Sequence, residues 1–163
     1  MYFRMQAPDG GRSIDQVYAW YSAVIYNRWD YDPPSGRYYR YVDTENALDG
    51  QPEVYKPLRD ALGDVPIAAD NVVVILMPHT FYSVSPEIVE MQFSGSGPAY
   101  VFRDGQAYEV KWVRKDETGV LALSTQEGKP FPFKPGTTWF EVMGLSTKIH
   151  QNDPVWRFEM RFP

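Results

Sequence analysis

Short stretches in which apolar and polar residues alternate, broken every few positions by glycine or proline, run through the whole chain. Two aromatic-rich runs, residues 24–31 and 37–42, flank Asp32-Pro33-Pro34-Ser35-Gly36 and predict a hairpin with a longer loop. Residues 71–77 are an almost unbroken apolar run between Asp70 and Pro78, which suits a strand buried on both faces. In residues 87–93, Ile88, Glu90 and Gln92 alternate with Val89, Met91 and Phe93, so one face is wholly apolar. Residues 99–102 and 106–114 meet at Arg103-Asp104-Gly105, where Asp-Gly supplies the positive φ angles of a tight hairpin turn. Further strands are expected at 120–124, 137–143 and 155–162. Pro130-Phe131-Pro132-Phe133 is extended but excluded from a sheet centre by its two prolines.

Two segments fit helical spacing as well. In residues 13–23, Ser13 and Gln16 form a capping box and Ile14, Val17, Tyr18 and Tyr21 recur at helical intervals. The same stretch is rich in Val, Trp and Tyr, and strand is the preferred reading. Residues 53–62 place Val54, Leu58, Ala61 and Leu62 at helical spacing before Gly63 and predict a helix that Pro57 limits to a turn or two. The pattern as a whole predicts a mainly β fold. It would be an antiparallel sandwich or partly closed barrel of roughly nine or ten strands, with at most one or two short helices, in one domain over 1–163.

Composition agrees with this picture. Aromatic residues make up 16% of the 163, as 12 Tyr, 9 Phe and 5 Trp, and 14 Pro and 12 Gly supply turns. A net charge of −5 and scattered basic residues argue against a nucleic-acid partner, which requires clustered Lys and Arg. The absence of cysteine excludes disulfides, thiolate nucleophiles and cysteine-based metal sites. No stretch approaches the roughly 18 apolar residues of a membrane-spanning helix.

Candidate chemistry is sparse. Gly95-Ser96-Gly97 leads into a strand, with no third glycine and no Lys-Ser or Lys-Thr, so it reads as a turn and not a phosphate loop. The two histidines, His79 and His150, lack ligand spacing, although Glu87 or Glu90 could approach His79. No metal and no cofactor is expected. Asp30 and Asp32 could act as paired carboxylates in glycoside hydrolysis, with Glu90 and Glu109 as other acids. Serine acyl chemistry lacks its signatures. The aromatic hairpin is the richest feature: Trp29, Tyr31, Tyr39 and Arg40 are the expected binding residues, because Tyr, Trp and Arg favour recognition surfaces. The alternative is that core covers one face of the hairpin and other parts of the protein cover the second.

The runs Asn71-Val72-Val73-Val74, Gly95-Ser96-Gly97, Val101-Phe102-Arg103-Asp104-Gly105, Trp112, Gly128-Lys129 and Pro135-Gly136-Thr137-Thr138-Trp139 occur in this order. With Trp29-Asp30-Tyr31-Asp32 and Tyr39-Arg40 upstream, they resemble the C-terminal domain of the YerB-like bacterial lipoproteins, a family of unknown function. The likeness covers residues 2–143, and its motifs are turns and strand ends. It implies a bacterial protein held outside the cytoplasmic membrane by a lipidated N-terminus, with a separate N-terminal domain. The role of residues 145–163 lies beyond the resemblance.

Lacking a recognisable nucleophile or metal constellation, the sequence favours binding over catalysis. The expected partner is a cell-envelope protein or cell-wall polymer, and the membrane is reached only through a lipid anchor outside this chain. Residues 155–162, as a terminal strand, offer a homodimer edge. The second reading is an envelope hydrolase using Asp30 and Asp32, completed by an N-terminal domain.

Overall fold

A computed structural model describes residues 1–161. Among them the chain lays down β1 (Arg12–Ser13), β2 (Gln16–Ser22), β3 (Ile25–Asp32), β4 (Arg37–Asp43), β5 (Tyr55–Pro57), β6 (Ala68–Ala69), β7 (Asn71–Met77) and β8 (His79–Val84). It continues with β9 (Glu87–Met91), β10 (Gly95–Arg103), β11 (Gln106–Arg114), β12 (Ala122–Ser124), β13 (Thr138–Gly144), β14 (Lys148–Asn152) and β15 (Val155–Glu159). One sheet runs β1-β11-β10-β7-β13, with β12 also on β11. The second runs β14-β15-β2-β3-β4-β5, with β6 also on β4. The β8–β9 hairpin stands apart from both.

The mainly β, sandwich-like prediction holds, and no barrel closes. Among the described residues strands number fifteen rather than nine or ten: β1, β5 and β6 are only two or three residues long, and β8 and β14 form where no strand was expected. Pairing is mixed rather than antiparallel throughout: β13 runs parallel to β7, and β15 parallel to β2. The helix expected over 53–62 does not form. Leu62 is 99% exposed, so a helix here would have had no core to bury its apolar stripe. The backbone pairs with β4 instead, the Leu58 N–H donating to the Arg40 carbonyl at 2.8 Å. The ambiguous 13–23 segment is strand β2.

Strand β7 is buried along its whole length because the first sheet packs on both faces. On one side Val72, Val74 and Leu76 meet Val17, Trp29, Tyr38, Trp156 and Phe158 of the second sheet. On the other, Val73, Ile75 and Met77 join Val101, Val110 and Trp112 under Phe131 and Phe133. The extended proline segment is thus a lid on the second core. Asp104 and Gly105 take φ values of 54° and 69°, as the tight turn between β10 and β11 requires.

Residues 145–161 complete the second sheet. The β14–β15 hairpin places Trp156 and Phe158, both fully buried, in the inter-sheet core. Strand β15 is flanked by β14 and β2, so it presents no free edge; the outer edge belongs to β14. Of the strand expected over 155–162, Phe162 lies outside the described residues.

Arg103 ties the N-terminal arm and the proline lid to the first sheet. Its side chain is wholly buried and pairs with Asp104 at 2.9 Å. It also donates to the carbonyls of Pro132 (3.1 Å), Arg4 (3.0 Å) and Met5 (2.8 Å). An apolar replacement leaves these carbonyls without their donor and leaves Asp104 with Lys134, 2.8 Å away, as its ion-pair partner. Arg103→Met is therefore expected to cost about 3–5 kcal/mol, read as a lower urea midpoint. An unchanged midpoint would show that water serves the acceptors equally well.

Candidate functional site

Strand alternation divides the aromatic hairpin between two environments. The register pairs Trp29 with Arg40 and Tyr31 with Tyr38, and both pairs share the inner face with Val17. Trp29 is fully buried, and its indole Nε1 donates to Glu141 Oε1 at 2.9 Å. Tyr31 leans on Tyr38 with ring centroids 5.0 Å apart. Arg40 covers the Trp139 ring at 4.4 Å, with Trp29 at 5.8 Å. Tyr39 alone of the expected four turns to the outer face, opposite Asp30. Trp29, Tyr31 and Arg40 therefore belong to the inner face, and the four do not make one recognition surface.

Apart from Tyr39 and Asp30, the outer face is built from residues not expected to bind. Three half-buried tyrosines surround the Arg28 guanidinium: Tyr41 at 4.6 Å, Tyr55 at 5.0 Å and Tyr18 at 5.8 Å. Arg28 also pairs with Asp30 at 2.7 Å. Gln16 donates to the other Asp30 oxygen at 3.1 Å and accepts from the Tyr18 hydroxyl at 3.2 Å. Beside this cluster Arg157 pairs with Glu159 at 2.7 Å and with Glu53. The Arg157 hydrogen bond holds the Glu159 carboxyl below its usual range. At Glu53 burial pushes the carboxyl upward, but hydrogen bonds from Arg157 and Tyr55 outweigh it and the net shift is down. Period-two alternation in β2 was the signal for Tyr18. Tyr55 was hidden by the helical reading of its segment.

The remaining candidates are apart or already engaged. Asp30 is held by Arg28 and Gln16, whereas Asp32 accepts from the Ser35 backbone N–H at 3.0 Å and shapes the hairpin loop. Glu90 accepts from Tyr82 on the β8–β9 hairpin, and Glu109 from Gln151. His79 Nδ1 lies 2.9 Å from the Met77 carbonyl, and His150 lies 3.8 Å from Glu159. The Glu87 side chain is outside what the structure describes. Among the described residues no three His, Asp or Glu side chains converge as a metal site. Gly97 lies within β10, where the Trp112 indole passes so close that a Cβ would stand 2.6 Å from its Nε1.

Comparison with known proteins gives the kinship. A family profile described as the C-terminal domain of DUF3048, a protein of unknown function, matches residues 17–140. The chain belongs to this family. The fold of this DUF3048 C-terminal domain is similar to that in the crystal structure of the YerB protein from Bacillus subtilis, with a TM-score of 0.64 at 20% identity. That likeness covers 88% of this chain and 43% of the other, so the chain spans under half the length of its structural relative. No curated protein matches. The profile span contains Tyr18, Arg28, Tyr41 and Tyr55, whereas Arg157 and Glu159 of the same face come from beyond it.

Because Trp29 is core and its indole N–H is committed to Glu141, Trp29→Ala is expected to act on folding. The loss should be about 3–5 kcal/mol in urea denaturation. A variant of native stability would contradict the placement of Trp29.

Proposed function

We propose that this domain is a non-catalytic binding module of an extracytoplasmic, lipid-anchored bacterial protein, and that it recognises a cell-wall polymer through the outer face of the second sheet. The observation that carries the reading is the tyrosine cluster around Arg28. Tyr18, Tyr41 and Tyr55 keep part of their rings accessible while Arg28 is fixed among them by Asp30. Such rings offer apolar area at low conformational cost, and a neighbouring guanidinium supplies directed donors. Sugar rings have one apolar C–H face and a rim of hydroxyls, which matches that pairing. Family kinship supports the envelope setting. The engagement of Asp30 and Asp32 in structural contacts supports binding over hydrolysis.

Cosedimentation with purified bacterial sacculi tests this. Saturable binding that survives moderate salt is expected, because stacking is screened far less than surface charge pairing. Tyr41→Ala should weaken it by about tenfold, the loss of one well-packed aromatic contact, with the thermal midpoint little changed. Failure of the wild-type domain to sediment with sacculi, or full binding by the variant, would overturn the assignment.

A further inference from the structure

We infer that Asp49 is a site of spontaneous covalent modification, where the chain isomerises to isoaspartate through a cyclic imide formed with Gly50. Three Asp-Gly pairs occur in the sequence, at 9–10, 49–50 and 104–105. Glycine makes each pair chemically competent, because no Cβ shields the main-chain nitrogen that must attack the aspartate side chain. The fold separates the three by how firmly it holds that nitrogen and that carboxyl group in place.

Asp49 and Gly50 are the exposed tip of the loop between β4 and β5, with φ values of 52° and 79°. The Gln51 N–H donates to the Leu48 carbonyl at 2.9 Å and closes a type I′ turn. Among the described residues neither the Asp49 carboxylate nor the Gly50 N–H has a partner, and a Cβ built on Gly50 would meet nothing within 4 Å. The flanking anchors are Ala47, whose N–H donates to the Ala23 carbonyl at 2.7 Å, and Val54, whose N–H donates to the Tyr26 hydroxyl at 3.0 Å. Rotating the Asp49–Gly50 peptide out of the turn therefore breaks one hydrogen bond and disturbs no core.

The other two pairs are held. Asp104 and Gly105 make the same kind of turn, but the Asp104 carboxylate is fixed by Arg103 at 2.9 Å and Lys134 at 2.8 Å. The Tyr31 ring lies so close that a Cβ on Gly105 would stand 2.5 Å from it, and the β10–β11 ladder begins on either side of the turn. Asp9 and Gly10 are exposed but pinned between neighbours. The Pro8 carbonyl accepts from the Tyr108 hydroxyl at 2.7 Å, and Gly11 is wedged against Gln106 and Tyr108.

The chemistry needs water alone. The Gly50 nitrogen attacks Cγ of the neutral Asp49 carboxylic acid; a C–N bond forms, the C–OH bond breaks, and the hydroxyl leaves with the amide proton as water. A second water then opens the imide. Attack at the side-chain carbonyl restores aspartate, whereas attack at the former main-chain carbonyl leaves the chain running through Cβ and Cγ as isoaspartate. The product has one more backbone atom, in the loop that brings Glu53 to Arg157.

The test ages the whole 163-residue chain at neutral pH, once folded and once in denaturing urea, and reads isoaspartate by electron-transfer fragmentation of tryptic peptides. The three pairs fall in separate peptides, 5–12, 41–59 and 104–111, since Pro57 blocks cleavage after Lys56. In the folded protein isoaspartate should accumulate first in 41–59, and about tenfold or more slower in 104–111, whose turn reacts only after a costlier local opening. In urea the three rates should converge. Asp49→Glu, whose longer side chain closes the ring far more slowly, should silence the 41–59 peptide. Isoaspartate forming at Asp9 or Asp104 as fast as at Asp49 in the folded chain, or none forming at Asp49, would overturn the proposal.

Discussion

The buried carboxylate of Glu141 is the contact on which the relation of the two sheets depends. It projects from β13 in the first sheet, 3% exposed, and accepts from Trp29 Nε1 at 2.9 Å and Tyr21 Oη at 2.6 Å in the second. A carboxyl group at that depth needs such donors, and both come from the opposite sheet. Burial, followed by the adjacent Glu141 charge, pushes the Tyr21 hydroxyl far above its ordinary pKa, so it stays a donor across the accessible pH range. With Trp29 fixed inward, strand alternation sends Arg28 and Asp30 outward. The outward tyrosine cluster around Arg28 is a consequence of the polar contact on the opposite side of the same strand.

Packing on two faces of the first sheet explains the proline-rich lid. A sheet with one solvated face could not bear a strand as apolar as β7, whose residues are buried from end to end. Phe131 and Phe133 close the second core, and Arg103 holds the lid and the N-terminal arm by their carbonyls. The buried guanidinium adds to the main-chain bonds that Phe131 makes to Leu123 and Phe133 makes to Tyr2 and Arg4.

Much of this was legible in the sequence wherever a local rule decides the outcome. The apolar run of β7, the Asp104-Gly105 turn and the Tyr-rich hairpin follow from pattern and turn chemistry. What failed to show depends on contacts distant along the chain. Helical spacing at Val54, Leu58 and Leu62 carried no information about whether a core lay beneath. Glu141, between Phe140 and Val142, reads as a solvent-facing position, and only its meeting with Trp29 reveals otherwise. Two-residue periodicity says that neighbours in a strand point apart but not which one points in. That is why Trp29 was expected on the surface, while Tyr18 and Tyr55 were passed over. Parallel pairing of β15 with β2 joins chain ends that no short-range signal connects.

The claim that the outer tyrosine face recognises wall material is tested most directly by following tyrosine ring resonances during titration with soluble, enzymatically released wall fragments. Progressive shifts confined to Tyr18, Tyr41 and Tyr55, with the buried Tyr38 ring unmoved, are the predicted result. Shifts absent from those three rings at saturating fragment, or larger at Tyr108 than at any of them, would contradict it.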